Sequence, residues 1–207
     1  MEIGRLENRW VELFGSTHDI AVVKETFKTL TSRYSEKHRY YHTLSHINAC
    51  LNLLDEVTNF IVEPFNVEVA IWFHDVIYNP KRNNNEEMSA KYAKAFLESV
   101  KLDSVDIRNI ERLILLTKHP SSPETNDEKY LMDIDLSILG ADDDLYDSYE
   151  SWIRKEYASV PYFLYKRGRK KALNSFVESG NIYKTDYFHE KYEIQARKNI
   201  DRALLEL

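Results

Sequence analysis

Residues 67–78 read VEVAIWFHDVIY, and this stretch is the most informative part of the chain. Nearly every position from Val69 to Tyr78 is apolar, which predicts a helix buried in the centre of the fold. His74 and Asp75 interrupt this apolar run. Because an ionised carboxylate is costly to bury alone, the two side chains are either a hydrogen-bonded core pair or two ligands of one metal ion.

The His-Asp dipeptide is not informative outside its context. A second copy, His18-Asp19, follows the turn residues of 15–17 and precedes Ile20. Asp is a favoured helix N-cap residue, so Asp19 is predicted to cap a helix and to have no catalytic role.

The remaining sequence is typical of an all-α protein. Only five Gly and five Pro occur in 207 residues, fewer than a turn-rich β-sheet or α/β domain requires. Apolar residues recur at steps of three and four, as in Leu44, Ile47, Leu51 and Leu54. We predict one all-helical domain of nine or ten helices over residues 1–207, with helices near 2–14, 19–35, 42–60, 65–78, 86–101, 103–118, 129–139, 143–157, 160–178 and 186–205. Gly140 is expected as a helix C-cap.

Composition excludes several classes of protein. A single cysteine, Cys50, excludes a disulfide scaffold and a Cys-rich zinc module. The longest apolar runs, such as residues 69–73, are far below the ~18 residues that a membrane span needs. The net charge of −6 argues against a nucleic-acid binder. We therefore expect a cytoplasmic protein with neither a nucleic-acid nor a membrane partner, although a local basic pocket could hold a small anionic substrate.

Further candidate metal ligands flank the central stretch. His42 and His46 are four residues apart, so one helix would project both from one face, with His46 turned partly inward. Asp133 and Asp135 lie in the apolar run 131–139. Two helical residues at this spacing are roughly 200° apart, so one is expected as a ligand and the other as a cap or ion-pair partner, with Asp135 favoured as the ligand.

Two imidazoles and two carboxylates, from His46, His74, Asp75 and Asp135, form a ligand set for a divalent metal ion. This set suits Mn²⁺, Fe²⁺, Co²⁺, Ni²⁺ or Mg²⁺ in an octahedral site, and Zn²⁺ is compatible with it. Positions left open to water would make the site catalytic rather than structural.

The order His46, His74-Asp75, Asp135 resembles the H…HD…D pattern of the HD-domain metal-dependent phosphohydrolases. Within that superfamily the chain is most similar to a bacterial branch described as predicted metal-dependent HD-superfamily phosphohydrolases. The similar stretches are 39–47, 72–80, 85–90, 117–119, 133–140, 153–157 and 168–169, and the likeness extends over about residues 30–200. The resemblance implies an all-helical metal enzyme that hydrolyses a small phosphate ester or anhydride, such as a nucleotide.

The resemblance also implies roles for acidic residues that follow the His-Asp pair. Glu86 or Glu87 is expected to assist proton transfer. The alternative is that both are helix-start carboxylates, which the helix dipole stabilises.

Four basic side chains are candidate phosphate contacts: His42, Lys118, His119 and Arg169. His42 could instead orient a carboxylate that binds the metal. Lys118 and His119 end a predicted helix, where cations are favoured in any case. Arg169 lies in the run KRGRKK at 166–171, which is also typical of a solvated helix face.

Three other interpretations remain open. A non-catalytic helical protein could bind a metal ion and a nucleotide without turnover. A metal-free interaction module would use His74-Asp75 only as a core pair. A di-iron oxygenase would need extra ligands, which His119 and Glu86 or Glu87 could supply.

Overall fold

The computed structural model describes residues 2–15, 19–118, 122–178 and 180–207, and these residues form helices and connecting turns without a strand. The all-α prediction is therefore confirmed. The ten α-helices are α1 (Glu2–Phe14), α2 (Ile20–Tyr34), α3 (Leu44–Val57), α4 (Pro64–Phe73), α5 (Asn85–Ser99), α6 (Ser104–Leu116), α7 (Asn126–Asp135), α8 (Asp143–Glu156), α9 (Tyr162–Glu178) and α10 (Asp186–Glu206). Short 3-10 segments follow α3 at Thr58–Phe60 and α7 at Leu136–Gly140.

The chain forms two compact units, Met1–Lys118 and His119–Leu207. Helices α1 to α6 belong to the first unit and α7 to α10 to the second. A single domain over 1–207 stays a prediction. Among the described helices, none has the length and apolar character needed to cross a bilayer.

The central helix of the first unit is α4, as its apolar sequence predicts. Seven of its ten residues are buried, and it packs against α3, α5 and α6. Trp10 of α1 is fully buried and meets Trp72 of α4 at a ring-centroid distance of 5.5 Å. Its Nε1 donates a hydrogen bond to the Val23 carbonyl at 2.8 Å. Burial of large aromatic side chains thus ties α1, α2 and α4 into one core.

In the second unit, α10 packs along the 3-10 segment that follows α7. A Cβ atom at Gly140 would lie 2.5 Å from Tyr192 Cβ, closer than real atoms approach. Gly140 therefore lets the backbone of this segment approach α10. The predicted C-cap role is wrong, since Gly140 has no positive φ.

Two helix ends differ from the predicted ends in ways that affect the candidate site. Helix α4 ends at Phe73 rather than near residue 78, so His74 is its C-cap and Asp75 lies in the following turn. Helix α3 begins at Leu44 with Thr43 as N-cap, so His42 precedes the helix. His42 and His46 consequently do not share a helix face as predicted. Asp19, by contrast, caps α2 as expected and accepts a hydrogen bond from the Ala21 amide.

Candidate metal centre

The first unit brings three of the four predicted metal ligands together. His46 lies in the first turn of α3, and His74 and Asp75 follow the last turn of α4. The Nε2 atoms of His46 and His74 are 3.2 Å apart. Asp75 Oδ2 lies 3.1 Å from His74 Nε2 and 4.0 Å from His46 Nε2. Three potential ligand atoms therefore converge from two helices.

The tautomer of His74 follows from its backbone contact. His74 Nδ1 lies 2.9 Å from the Ile71 carbonyl oxygen, which can only accept a hydrogen bond. Donation from Nδ1 to this carbonyl leaves Nε2, which lies beside His46 and Asp75, as the ring nitrogen available to a metal ion. Histidines that bind metals typically donate their other ring N–H in this way.

The spacing and the chemistry of these donors fit a divalent ion. Ligands at about 2.1 Å from an ion and at right angles to each other are about 3.0 Å apart. The contacts of 3.1 and 3.2 Å are close to this value, and the contact of 4.0 Å requires a wider angle. Imidazole nitrogen and carboxylate oxygen together suit Mn²⁺, Fe²⁺, Co²⁺, Ni²⁺ or Zn²⁺.

His42 reaches the same carboxylate from outside α3. Its Nε2 lies 3.9 Å from Asp75 Oδ2, and 19% of its side chain is exposed, against 3% for His46 and His74. The ring packs against Tyr78 at a centroid distance of 4.3 Å. His42 is thus more accessible than His46 and His74, a position suited to contact with a substrate.

Glu86 and Glu87 lie in the first turn of α5 and have different surroundings. Burial raises the pKa of the Glu86 carboxyl, and the charge of Asp75 adds to this effect. Glu87 is exposed and forms an ion pair with Lys118, whose hydrogen bond lowers the pKa of the Glu87 carboxyl. Of the two, Glu86 has the environment expected of a group that transfers protons.

Lys118 follows α6 in the first unit, and its ammonium group already has partners. In addition to Glu87, it donates a hydrogen bond to the Asn83 carbonyl at 2.6 Å. A phosphate would have to compete for these contacts, and phosphate binding by Lys118 stays a prediction. His119, the neighbouring candidate, lies outside the described residues.

Among the described residues, two predicted site residues belong to the second unit. Asp135 is the last residue of α7 and is partly buried, and its role as a metal ligand stays a prediction. Arg169 on α9 donates to Glu150 from Nη2 at 2.6 Å and from Nε at 3.1 Å. Its guanidinium lies 5.1 Å from the centre of the Tyr149 ring. These contacts favour a structural role within the second unit, and phosphate binding by Arg169 stays a prediction.

Asp133, the alternative to Asp135, is a structural residue. It is fully buried and accepts hydrogen bonds from the amides of Lys184 and Thr185 and from the Thr185 hydroxyl. Thr185 is the N-cap residue of α10, so Asp133 supports the start of that helix. Asp133 is not itself a cap residue, because the N-cap of α10 is Thr185, and the expectation of a cap or ion-pair partner among the two acids stays a prediction.

The turn at 74–78 is held by side chains to which sequence reasoning assigned no role. The Tyr34 hydroxyl donates to the Trp72 carbonyl at 2.9 Å, and Ser89 bonds both the amide and the carbonyl of Ile77. His38 Nε2 lies 2.9 Å from the Tyr78 carbonyl. Carbonyls at a helix C-terminus lack intrahelical partners, but the identity of distant donors cannot be derived from local sequence.

Comparison of the chain with protein-family models, with curated proteins and with solved structures gave no match.

Proposed function

We propose that this chain is a metal-dependent phosphohydrolase of the HD type, active in the cytoplasm on a small phosphate ester or anhydride such as a nucleotide. The observation that carries the proposal is the convergence of His46 Nε2, His74 Nε2 and Asp75 Oδ2, with contacts of 3.1 to 4.0 Å. The imidazoles of His46 and His74 are buried, and the contact of His74 Nδ1 with the Ile71 carbonyl orients its ring, which supports a preorganised donor set.

Each group near the centre has a role in the proposed reaction. His46, His74 and Asp75 would hold the divalent ion, and Asp135 is kept as the fourth predicted ligand. When bound, the ion would polarise a phosphoryl oxygen and acidify an attacking water. Glu86 is proposed to accept the proton of that water.

His42 is the group proposed to contact the substrate anion. It lies beside Asp75, and its side chain is 19% exposed, against 3% for His46 and His74. Its ring is held by packing against Tyr78 and Tyr41. A held imidazole at the mouth of the centre can donate a hydrogen bond to a phosphoryl oxygen when it is protonated.

The test combines elemental analysis of the purified protein with a phosphate-release screen. The screen covers nucleotides, sugar phosphates, phosphodiesters and pyrophosphates with Mn²⁺, Co²⁺ and Mg²⁺. We expect a bound transition metal, release of phosphate from at least one substrate class, and loss of both in D75N. Turnover that persists after chelation and in D75N would contradict the proposal.

Two other outcomes would favour the remaining interpretations. Tight metal binding without phosphate release from any substrate at micromolar protein would favour a non-catalytic metal- and nucleotide-binding protein. Absence of metal from the purified protein, together with no change in thermal stability on chelation, would favour a metal-free helical interaction module.

A further inference from the structure

Arg39 is buried between the two segments that carry the candidate ligands. Its side chain is fully shielded from solvent, although it bears a charge. Nη1 donates to the His42 carbonyl at 3.1 Å and to the Asp75 carbonyl at 2.8 Å, and Nη2 donates to the Val76 carbonyl at 3.1 Å. One guanidinium group therefore joins the backbone before α3 to the turn after α4.

The charge of Arg39 is balanced locally. Its Nε donates to Glu36 Oε2 at 3.2 Å, three residues earlier in the chain. The guanidinium lies 5.1 Å from the centre of the Tyr34 ring and 5.4 Å from that of Tyr78. A buried cation with a carboxylate partner, aromatic neighbours and bonded N–H groups avoids most of the desolvation penalty.

Only arginine can make this set of contacts. The guanidinium is planar and presents its donors in a fixed fork, so the positions of the three carbonyls are set relative to one another. Lysine has one ammonium group on a flexible stem and could reach one or two of them. The backbone of His42 leads directly into the first turn of α3, which carries His46, while the other two carbonyls belong to Asp75 itself and to the residue after it.

We propose that Arg39 is the positioning residue of the candidate metal centre. By fixing the start of α3 against the turn after α4, it sets the distance of His46 from His74 and Asp75. The proposal rests on the proposed function in that it assumes metal binding by these three residues. Loss of Arg39 should then weaken metal binding more than it weakens the fold.

The test compares R39K and R39Q with the wild-type chain and with R33Q. Arg33 is a matched control because it is also an arginine paired with Glu36, at 3.3 Å, but it is 44% exposed. Calorimetric titration with Mn²⁺ measures affinity, the visible spectrum of the Co²⁺-loaded protein reports ligand geometry, and circular dichroism reports folding.

We expect about 10-fold weaker Mn²⁺ binding in R39K and up to about 100-fold in R39Q, as for other groups that orient metal ligands. The Co²⁺ spectrum should change in R39K and remain unchanged in R33Q, which should also keep wild-type affinity. R39K keeps a positive charge opposite Glu36. If R39Q does not fold, the proposal is tested with R39K alone.

The outcomes separate this inference from the proposed function. Wild-type affinity and an unchanged Co²⁺ spectrum in folded R39K would overturn the positioning role and leave the proposed function standing. A parallel loss of affinity in R33Q would also overturn it, because the effect would then belong to the Glu36 ion pairs. Absence of Mn²⁺ binding in the wild-type chain would overturn both proposals.

Discussion

Asp75 and Asp133 both interrupt apolar runs, but their surroundings differ. Asp133 accepts hydrogen bonds from two backbone amides and a hydroxyl, which offset part of the cost of burying its charge. Asp75 Oδ2 faces the Nε2 atoms of three histidines, and two of these, at 3.9 and 4.0 Å, are beyond hydrogen-bond distance. The same sequence pattern thus produces a helix-start support in one unit and a candidate ion site in the other.

The pKa of Asp133 supports this contrast. Burial raises it to about 6, although the hydrogen bonds from Lys184 and Thr185 act in the opposite direction. At neutral pH the group is therefore ionised, with its charge held by N–H and O–H donors. Asp75 in the first unit lies beside imidazole nitrogens instead, and metal binding by its carboxylate stays a proposal.

D75N is expected to have the largest effect. It removes one of the three converging donors, and Mn²⁺ affinity measured by calorimetry should fall by more than about 100-fold. D55N is the control, since Asp55 is an exposed partner of Arg9 in the same unit. Equal affinities of D75N and wild type would remove the distinction between Asp75 and Asp133.

The second largest effect is a difference in turnover between variants of the adjacent carboxylates Glu86 and Glu87. E86Q should lower turnover of the screened substrate by about 100-fold or more and leave Mn²⁺ affinity unchanged. E87Q breaks only a solvent-exposed ion pair with Lys118, so turnover should fall by less than about fivefold. Similar losses in both variants would argue against Glu86 as the proton-transfer group.

D133N tests the other half of the comparison through stability. The amide nitrogen of Asn would face N–H donors that now bind a carboxylate, and we expect a loss of about 2 kcal/mol in the free energy of unfolding at neutral pH. Urea unfolding followed by circular dichroism measures it. D135N is the control on the same helix. A larger loss in D135N than in D133N would contradict the structural role of Asp133.

The smallest effect is a pH dependence at Glu193, which supports the segment before α10. Burial alone would raise the pKa of this carboxyl, but the amides of Tyr183 and Ile182 and the Arg197 guanidinium outweigh it, and the pKa lies below its usual 4.5. The stabilisation is therefore present above pH 4.5 and is lost as the pH falls through the lowered pKa.

Thermal unfolding of wild type and E193Q at neutral pH and below pH 4.5 measures this contribution. The stability difference between the two proteins should narrow as the pH falls. A difference that stays constant over this interval would show that the Glu193 charge does not stabilise the fold.

The sequence predicts the helices better than their ends. Apolar spacing of three and four is a property of the helix itself, which explains why all ten elements were expected. The end of α4 at Phe73 depends on donors from outside the helix, such as Tyr34, and could not be derived locally. The start of α7 had a usable local signal, since Thr125 and Glu128 form a capping box. The helix therefore begins at Asn126, three residues before the predicted start at residue 129.

The candidate site shows the same division. His74 and Asp75 are predicted because charge inside an apolar run needs compensation, and His46 because it turns partly inward from a neighbouring helix. The first unit brings the three together. His42 lies before α3 because the helix begins at Leu44, whereas the apolar spacing predicted a start at residue 42. The contacts of Arg39 join segments 36 residues apart, which no local pattern encodes.

The turn after α4 has a consequence for protein engineering. Its carbonyls are satisfied by side chains from α2, from the segment before α3 and from α5, among them Tyr34, His38, Arg39 and Ser89. Transplanting His46, His74 and Asp75 alone into another helical scaffold would leave this backbone without its donors. A portable version of the centre therefore has to include these supporting residues as one graft.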